Sequence, residues 1–261
     1  MKVACIQLSS GENYNKNFKD IIKYIYKAIS NNADLIITPE TSSLISNNIK
    51  YIQKHTFEVN NDPLIKKIKH IAEQNKKFIL LGSLIIKVKK TLRNTSILID
   101  KRGKIIAQYD KINMFDVKIS KKEKHSESRI YKAGKKLVTA NLPWGKIGLT
   151  ICYDLRFPEL FRNLSKRNLS FISVPSAFTK DTGRKHWLTL LKARAIENFC
   201  YIFAPNQTGK NTKNRETFGH SVIISPDGEI LALKKNGKGI IYSIINPNKS
   251  MILRKIIPSL K

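Results

Sequence analysis

The sequence has few cysteines, few acidic residues and no long apolar run, and each shortage excludes a class of protein. Three cysteines among 261 residues are an odd, sparse set that argues against a disulfide framework. No apolar stretch approaches the roughly 20 residues that a helix needs to cross a bilayer. Residues 1–10 hold too short an apolar core for a signal peptide and are typical of a first buried strand. We therefore expect a cytoplasmic protein with no membrane partner.

The sequence also lacks the residue spacings of metal sites. Its five histidines form no HxxxH or HxH pair, and no two cysteines are close enough for a CxxC motif. We expect neither a metal nor another cofactor.

Negative charge is scarce, because 19 Asp and Glu residues stand against 48 Lys and Arg residues, a net charge of +29. Such an excess is typical of proteins that bind nucleic acids. Here it is mostly lysine spread along the whole chain. The densest segment, 117–136, has few aromatics and no nucleic-acid-binding signature around it. The composition indicates weak, salt-sensitive contact with polyanions at most, and we expect no specific nucleic-acid partner.

Strands alternate with helices and hairpins along the chain, which predicts an α/β layered sandwich. No linker rich in Pro, Gly or Ser interrupts the pattern, so we expect a single domain over residues 1–261. The one long irregular stretch is 112–136, and such loops are often functional. Apolar periodicity predicts helices over 15–31, 61–75, 157–168 and 186–199. Strands are predicted over 2–8, 34–40, 78–86, 94–100, 104–110, 136–142, 146–152, 169–177, 200–206, 219–235 (a hairpin) and 239–245.

Three polar residues follow predicted strands directly: Glu40, Lys111 and Cys152. The carboxyl ends of strands are where α/β folds place their sites. Taken singly, each residue also has an ordinary explanation. Glu40 fits a loop, Lys111 fits the surface, and Cys152 fits a core position as a small apolar group.

The sequence motifs around these residues favour a catalytic role over the ordinary explanations. "ITPE" (37–40), "YDKINMFD" (109–116) and "CYDLRFPE" (152–159), in this order, resemble the nitrilase superfamily of carbon–nitrogen hydrolases. "ESRIYKAG" (127–134) resembles the segment that bears the family's second glutamate. The resemblance runs from about residue 3 to 245. "PSAFTKDTGRKHW", "KARAIEN", "APNQTG" and "GHSVIISPDG" look like the branch of deaminated glutathione amidases and omega-amidases.

The resemblance implies an αββα four-layer sandwich that pairs through helices into a homodimer. It also implies the role of each site residue. Cys152 would be the nucleophile and Glu40 the general base. Lys111 would stabilise the oxyanion together with the backbone N–H of Tyr153. Glu127 would orient Lys111 and the substrate amine.

The chemistry of these residue types agrees with those roles. A free thiol has a pKa near 8.5 and needs a nearby base or cation. No histidine lies in the motifs around Cys152, so a Cys–His dyad has no support. Two glutamates beside one lysine are expected to raise each other's pKa and to keep Lys111 charged.

The resemblance implies two substrate contacts as well. Arg156 corresponds to an arginine that binds a substrate carboxylate, a task that suits its planar fork of donors. The other reading of Arg156 is a salt bridge with Asp154 or Glu159. Thr182 resembles a second carboxylate contact, and Asp154 is expected to hold the turn after Cys152.

These observations favour a thiol amidohydrolase that acts on a small carboxylate-bearing amide through a cysteine thioester. Within the branch, deaminated glutathione is the first expected substrate. The alternative is an omega-amidase acting on 2-oxoglutaramate or 2-oxosuccinamate. The alternative from another class is a polyanion- or nucleic-acid-binding protein on an amidase scaffold, which the charge of +29 motivates.

Overall fold

The computed structural model describes residues 1–118 and 124–260. The α-helices are α1 (Tyr14–Ser30), α2 (Ile49–Lys54), α3 (Pro63–Asn75), α4 (Pro158–Ser165), α5 (Lys180–Asn198) and α6 (Asn248–Ile256). The first eight strands are β1 (Lys2–Gln7), β2 (Leu35–Ile37), β3 (Phe78–Val88), β4 (Thr91–Ile99), β5 (Ile105–Asp110), β6 (Asp116–Lys118), β7 (Lys124–Ser126) and β8 (Thr139–Leu142). The others are β9 (Gly145–Leu149), β10 (Leu169–Ser173), β11 (Tyr201–Ala204), β12 (Thr208–Thr212), β13 (Arg215–Phe218), β14 (Ser221–Ile224), β15 (Ile230–Lys234) and β16 (Gly239–Ile244). Single 3-10 turns span Glu127–Arg129 and Cys152–Arg156.

Twelve of the strands form two six-stranded sheets with matching organisation. The first sheet has the order β16-β1-β2-β3-β4-β5, and the second has the order β15-β14-β11-β10-β9-β8. In the first sheet β1, β2 and β3 are parallel, and β5 runs in the same direction because two antiparallel pairings separate it from β3. In the second sheet β9, β10 and β11 are parallel. The carboxyl ends of these strands therefore lie along one edge of each sheet.

Alternating side chains on β1 show how the layers form. Ala4 and Ile6 belong to a buried cluster with Ile21 of α1 and Ile68 of α3. Val3 points to the other face, since successive side chains of a strand alternate, and joins a cluster that spans both sheets, α4 and α5. Helices thus cover the outer face of each sheet while the inner faces pack together. This is the αββα four-layer sandwich that the resemblance implied, and that prediction is confirmed.

Several parts of the fold differ from the periodicity prediction. It did not include helices α2 and α6. Helix α5 begins at Lys180, six residues before the predicted start at 186, because its first turns are polar and give no apolar period. Gly183 in those turns packs against Phe218, where an added Cβ would lie 2.5 Å from the Phe218 Cβ. The hairpin of β12 and β13 was not predicted, because its strands are short and polar.

The predicted irregular stretch 112–136 is partly ordered. It contains β6, β7 and the 3-10 turn that begins at Glu127, while residues 119–123 of that prediction lie outside the described residues. Within the two described ranges, no helix is both long enough and apolar enough to cross a membrane.

Candidate active site

Four segments meet at the common edge of the two sheets. Glu40 lies three residues after β2, and Lys111 directly follows β5. Cys152 lies three residues after β9 and opens a 3-10 turn, and Glu127 opens the other such turn. The fold therefore brings together the four residues that the sequence predicted as catalytic, although they are separated by up to 112 positions in the chain.

The ammonium group of Lys111 lies between two carboxylates. Its Nζ donates to Glu40 Oε1 at 2.9 Å and to Glu127 Oε2 at 2.7 Å. Asn94 of β4 donates through Nδ2 to Glu40 Oε1 at 2.9 Å and to Glu127 Oε1 at 3.1 Å. Lys111 and Glu40 are only 2% and 3% exposed, so the network is held in place by desolvated, charge-assisted bonds.

Backbone amides complete the network. The Ala177 N–H donates to Glu40 Oε2 at 2.8 Å, and the Phe115 N–H donates to Glu127 Oε2 at 2.7 Å. Every carboxylate oxygen of Glu40 and Glu127 thus accepts at least one hydrogen bond from protein. Asn94 and Ala177 were not predicted as site residues. The sequence signal for Asn94 was a polar residue at the start of the apolar run "NTSILID", which is weak by itself.

The charges around Glu40 correct one expectation. Burial alone would raise the pKa of Glu40, but the positive charges of Lys111 and Arg215 and the hydrogen bonds from Lys111 and Cys152 outweigh it. The pKa of Glu40 therefore lies below its ordinary value, whereas the two glutamates were expected to raise each other's pKa. The expectation was wrong because Lys111 contacts Glu40 directly and Arg215 adds a second cation.

Lys111 behaves as expected. Burial alone would lower its pKa, but the negative charges of Glu127 and Glu40 outweigh burial and raise the pKa well above its ordinary value. The side chain stays a cation at every pH at which the protein is folded with both carboxylates ionised. A fixed, desolvated positive charge of this kind can stabilise a developing oxyanion.

Cys152 has an unusual backbone conformation. Its φ angle is +50°, in the left-handed region that side chains other than glycine seldom adopt. The Cys152 N–H donates to Pro175 O at 3.0 Å, and the side chain is 7% exposed. Strain of this kind, of order 1–3 kcal/mol, is typical of functional positions. The ordinary explanation, a core cysteine, does not account for it.

The thiol of Cys152 lines the same cavity as the carboxylate of Glu40 and is not ionised at rest. Burial, and next the negative charge of Glu40, raise its pKa far above the ordinary value, and Lys111 offsets only part of this. The resting pair at neutral pH is a neutral thiol beside an ionised carboxylate. That arrangement can move a proton from Sγ to Glu40 as Sγ attacks.

Asp154 holds the turn that follows Cys152. Its Oδ2 accepts from Tyr109 Oη at 2.7 Å and from the Ile151 N–H at 2.9 Å. Its Oδ1 accepts from the backbone N–H of Asn113 at 3.0 Å and from Nδ2 of the same residue at 2.9 Å. Because Tyr109 lies on β5, Asp154 ties the Cys152 turn to the strand that carries Lys111. The expected role of Asp154 is confirmed.

The residues expected to contact substrate lie in different settings. The backbone N–H of Tyr153 donates to no acceptor in ranges 1–118 and 124–260, so it is available as a donor. Thr182 lines the cavity, with its Oγ1 2.8 Å from Thr179 Oγ1. Arg156 does not line the cavity among the described residues. Its guanidinium lies 5.3 Å from the ring centroid of Phe178.

The alternative role of Arg156, a salt bridge with Asp154 or Glu159, is not seen among the described residues either. Its Nη2 lies 3.3 Å from His186 Nδ1, and its guanidinium lies 5.9 Å from the ring centroid of Tyr153. In the part of the chain that the structure describes, Arg156 forms no ion pair with Asp154 or Glu159.

A cavity of about 160 Å³ opens above Cys152. Small-molecule sites commonly measure about 300–1,000 Å³, so this cavity suits a short acyl chain. Glu40, Lys111, Glu127 and Cys152 line it, as does Arg215 of β13. Arg215, which lies four residues before the segment "GHSVIISPDG", was not predicted as a site residue. In the described ranges, no group of three or more His, Cys, Asp or Glu side chains is arranged to hold a metal.

The fold and the Glu–Lys–Cys cluster define the class: a hydrolase of carbon–nitrogen bonds on a nitrilase-type sandwich. The chain belongs to the carbon–nitrogen hydrolase family, whose model matches residues 2–251. It is 40% identical to a protein named deaminated glutathione amidase from Dictyostelium discoideum, over 97% of this chain and 90% of that one. It is 36% identical to a protein of the same name from Yersinia enterocolitica, over 99% and 91%.

Solved structures agree with this membership. The crystal structure of the Caenorhabditis elegans NitFhit protein matches with a TM-score of 0.90 and 33% identity, over 98% of this chain and 63% of that longer chain. Saccharomyces cerevisiae Nit3, described as a member of branch 10 of the nitrilase superfamily, matches with a TM-score of 0.89 and 26% identity, over 100% and 95%. The predicted superfamily and its amidase branch are confirmed.

Proposed function

We propose that the protein is a thiol amidohydrolase that cleaves the amide bond of a small carboxylate-bearing substrate through a thioester on Cys152. The observation that carries the proposal is the position of Glu40. Its carboxylate accepts a hydrogen bond from Lys111 Nζ at 2.9 Å, and its charge raises the pKa of the Cys152 thiol, which lines the same cavity of about 160 Å³. One carboxylate thus couples a nucleophile to a fixed cation.

Acylation begins when Sγ of Cys152 attacks the amide carbonyl carbon. The thiol proton passes to the carboxylate of Glu40, an S–C bond forms, and the carbonyl oxygen gains negative charge. Lys111 and the Tyr153 N–H stabilise that oxygen. Removal of one such donor typically costs about 10²–10³ in rate. Glu40 then gives the proton to the leaving nitrogen, the C–N bond breaks, and ammonia or an amine departs.

Deacylation uses the same groups. Water attacks the thioester carbonyl, and Glu40 accepts the water proton. Collapse of the second tetrahedral intermediate breaks the C–S bond, and the proton on Glu40 returns to Sγ. The products are a carboxylic acid and the free thiol. Glu127 holds Lys111 in position through its 2.7 Å contact throughout the cycle and faces the departing amine.

Deaminated glutathione is the substrate that we propose first. The names of the relatives at 40% and 36% identity support it. Arg156 and Thr182 remain predicted contacts to a substrate carboxylate. The second candidate is an ω-amide such as 2-oxoglutaramate, which the small cavity favours. Comparing kcat/KM for the two substrates decides between them, and a large preference for 2-oxoglutaramate would contradict the first choice.

Intact-mass spectrometry tests the proposal directly. During incubation with substrate, we expect an added mass equal to the acyl group. The adduct should be lost in Cys152→Ala and kept in Cys200→Ala, which removes another fully buried thiol. Hydrolysis should fall by at least about a thousandfold in Cys152→Ala. Hydrolysis that persists in this variant contradicts the thioester.

The net charge of +29 motivates the competing function, binding of polyanions or nucleic acids on an amidase scaffold. The same samples can test it. Tight binding of nucleic acid at physiological salt, together with no hydrolysis of any amide, would favour that alternative. Binding that weakens steeply with salt and leaves hydrolysis unchanged would mark a non-specific effect of charge.

A further inference from the structure

Arg215 lines the cavity, but part of its side chain has no protein partner. Its Nη2 donates to Ala177 O at 3.1 Å. Within residues 1–118 and 124–260, its buried Nε has no hydrogen-bond partner. Its Nη1, which is not buried, forms no hydrogen bond there either. A guanidinium carries five N–H donors, and a buried donor without an acceptor costs about 1–3 kcal/mol. Arg215 is therefore a cation at the cavity that keeps donors without an acceptor among the described residues.

Lys111, the other cation of the cavity, has its charge balanced. Lys111 contacts both Glu40 and Glu127, and all four of their oxygens already accept hydrogen bonds. In ranges 1–118 and 124–260, no ion pair includes Arg215. A negatively charged ligand in the cavity would thus find Arg215 with charge and donors to offer.

The position of Arg215 indicates which part of a substrate it meets. The backbone of Ala177 joins the two sides, because its N–H binds Glu40 Oε2 at 2.8 Å and its C=O binds Arg215 Nη2 at 3.1 Å. Glu40 is only 3% exposed, and the charge of Arg215 lowers its pKa. The half-buried Arg215 therefore lies beside the catalytic carboxylate through Ala177. A leaving group must depart toward the opening, whereas the acyl group stays through both halves of the reaction.

We propose that Arg215 is a specificity residue that binds a carboxylate on the acyl part of the substrate. This inference rests on the proposed amidase function and adds a specificity residue to it. The fork of donors on a guanidinium suits a carboxylate. A carboxylate in the cavity would accept from Nη1, the donor of Arg215 that is accessible and forms no hydrogen bond within the described residues.

A purely structural role is the competing explanation. Arg215 also fixes Ala177, and through it Glu40, so any substitution can reduce turnover of all substrates. Loss of positioning lowers kcat/KM equally for charged and neutral amides. Loss of a carboxylate contact lowers it for the charged amide alone. The ratio of the two kcat/KM values separates these explanations.

The experiment compares glutaramate with glutaramide, its neutral counterpart of the same length. We expect Arg215→Gln to reduce the ratio of kcat/KM for glutaramate over glutaramide by roughly ten- to a hundredfold, as for a lost hydrogen bond to a charged group. Arg215→Lys keeps the charge without the fork and should lie between. Arg102→Gln, an exposed arginine in the β4–β5 turn, should leave the ratio unchanged.

A binding measurement keeps the inference separate from the proposed function. Calorimetry of glutarate on Cys152→Ala, with and without Arg215→Gln, needs no turnover. Weaker binding by at least about tenfold in the double variant supports the inference even if wild-type protein hydrolyses neither amide. The inference is overturned if Arg215→Gln changes neither the kcat/KM ratio of glutaramate over glutaramide nor the affinity for glutarate. It is also overturned if Arg215→Gln lowers kcat/KM selectively for an amide whose carboxylate lies on the leaving group, such as N-butyrylglycine.

Discussion

At the scale of single residues, the protonation states of Cys152 and Glu40 determine how the site works. The thiol is neutral and the carboxylate is ionised at rest, because burial and the charge of Glu40 raise the pKa of Cys152, while Lys111 and Arg215 lower that of Glu40. The nucleophile is therefore formed during attack, by transfer of its proton, rather than stored as a thiolate. This differs from cysteine sites that rely on a thiolate–imidazolium pair.

The pH dependence of kcat/KM should report this arrangement. Glu40 must be ionised to act as a base, and its pKa is lowered, so the acid limb should lie below about 4.3, the value for an unperturbed Glu. Glu40→Gln should reduce kcat/KM by about 10²–10⁴ across the pH range, whereas the exposed Glu73→Gln should not. An acid limb near pH 6 would contradict the assignment of Glu40.

The same shift links Glu40 to stability. Its folded pKa is below its unfolded pKa, so ionisation of Glu40 favours the folded state above the unfolded value. That contribution is lost as pH falls through the folded pKa.

Replacing Lys111 should destabilise the fold as well as the activity. Lys111→Met leaves Glu40 and Glu127 buried without their shared cation, and breaking a buried pair in this way costs about 3–5 kcal/mol. Urea unfolding at pH 7 measures the loss. The triple variant with Glu40→Gln and Glu127→Gln removes the uncompensated charges and should recover part of it. Equal stability of Lys111→Met and wild type would show that the carboxylates become protonated or hydrated at little cost.

At the scale of elements, Gly82 of β3 lets two site loops approach each other. A Cβ added at Gly82 would lie 1.7 Å from Thr38 O and 2.5 Å from Pro175 Cβ. Thr38 lies two residues before Glu40. The backbone oxygen of Pro175 accepts from the Cys152 N–H. The absence of a side chain at one position of β3 thus sets the distance between the base and the nucleophile.

Gly82→Ala should therefore disrupt the site through the backbone. We expect a loss of at least about 3 kcal/mol in unfolding free energy, at the upper end for an overpacked position, and a large fall in kcat. Gly237→Ala is the matched control. Its φ of +71° is unfavourable for alanine, but nothing lies within 4 Å of the added Cβ, so its cost should be about 1 kcal/mol. Similar losses in the two variants would contradict the steric argument.

The elements that periodicity predicted correctly are those with an apolar face. Helix α1 was predicted over 15–31 and spans Tyr14–Ser30, because its buried isoleucines recur at helical spacing. The first turns of α5 and the hairpin of β12 and β13 face the cavity and solvent, and their sequences are polar. Arg215 was missed for this reason: tertiary packing, rather than a local pattern, places its hairpin over the site.

At the scale of the whole molecule, the two sheets share a buried cluster that includes Val3 of the first sheet and Phe203 of the second. This shared core supports our proposal that residues 1–261 form one domain. The basic residues, by contrast, are spread along the whole chain.

The expected homodimer can be tested through helix α6. Its exposed face carries apolar side chains, with Met251 at 55%, Ile252 at 51% and Ile256 at 67% exposure. Residues four apart lie on one face of a helix, so Ile252 and Ile256 form a continuous apolar surface. Light scattering should give about twice the monomer mass of 29.8 kDa. Ile252→Glu with Ile256→Glu should lower the mass toward the monomer, whereas Lys66→Glu on α3 should not. A monomeric wild type would contradict the dimer.

The sequence by itself determined the layered α/β fold, the carbon–nitrogen hydrolase family and the four proposed catalytic residues, because strand ends and short motifs are local in the chain. Only the tertiary structure decided which groups surround them. It placed Asn94 and Ala177 on Glu40, and it brought Arg215 into the cavity. It also reversed the expected direction of the Glu40 pKa. That pKa depends on burial and on distances to charges, which are set by how the two sheets and their loops pack together.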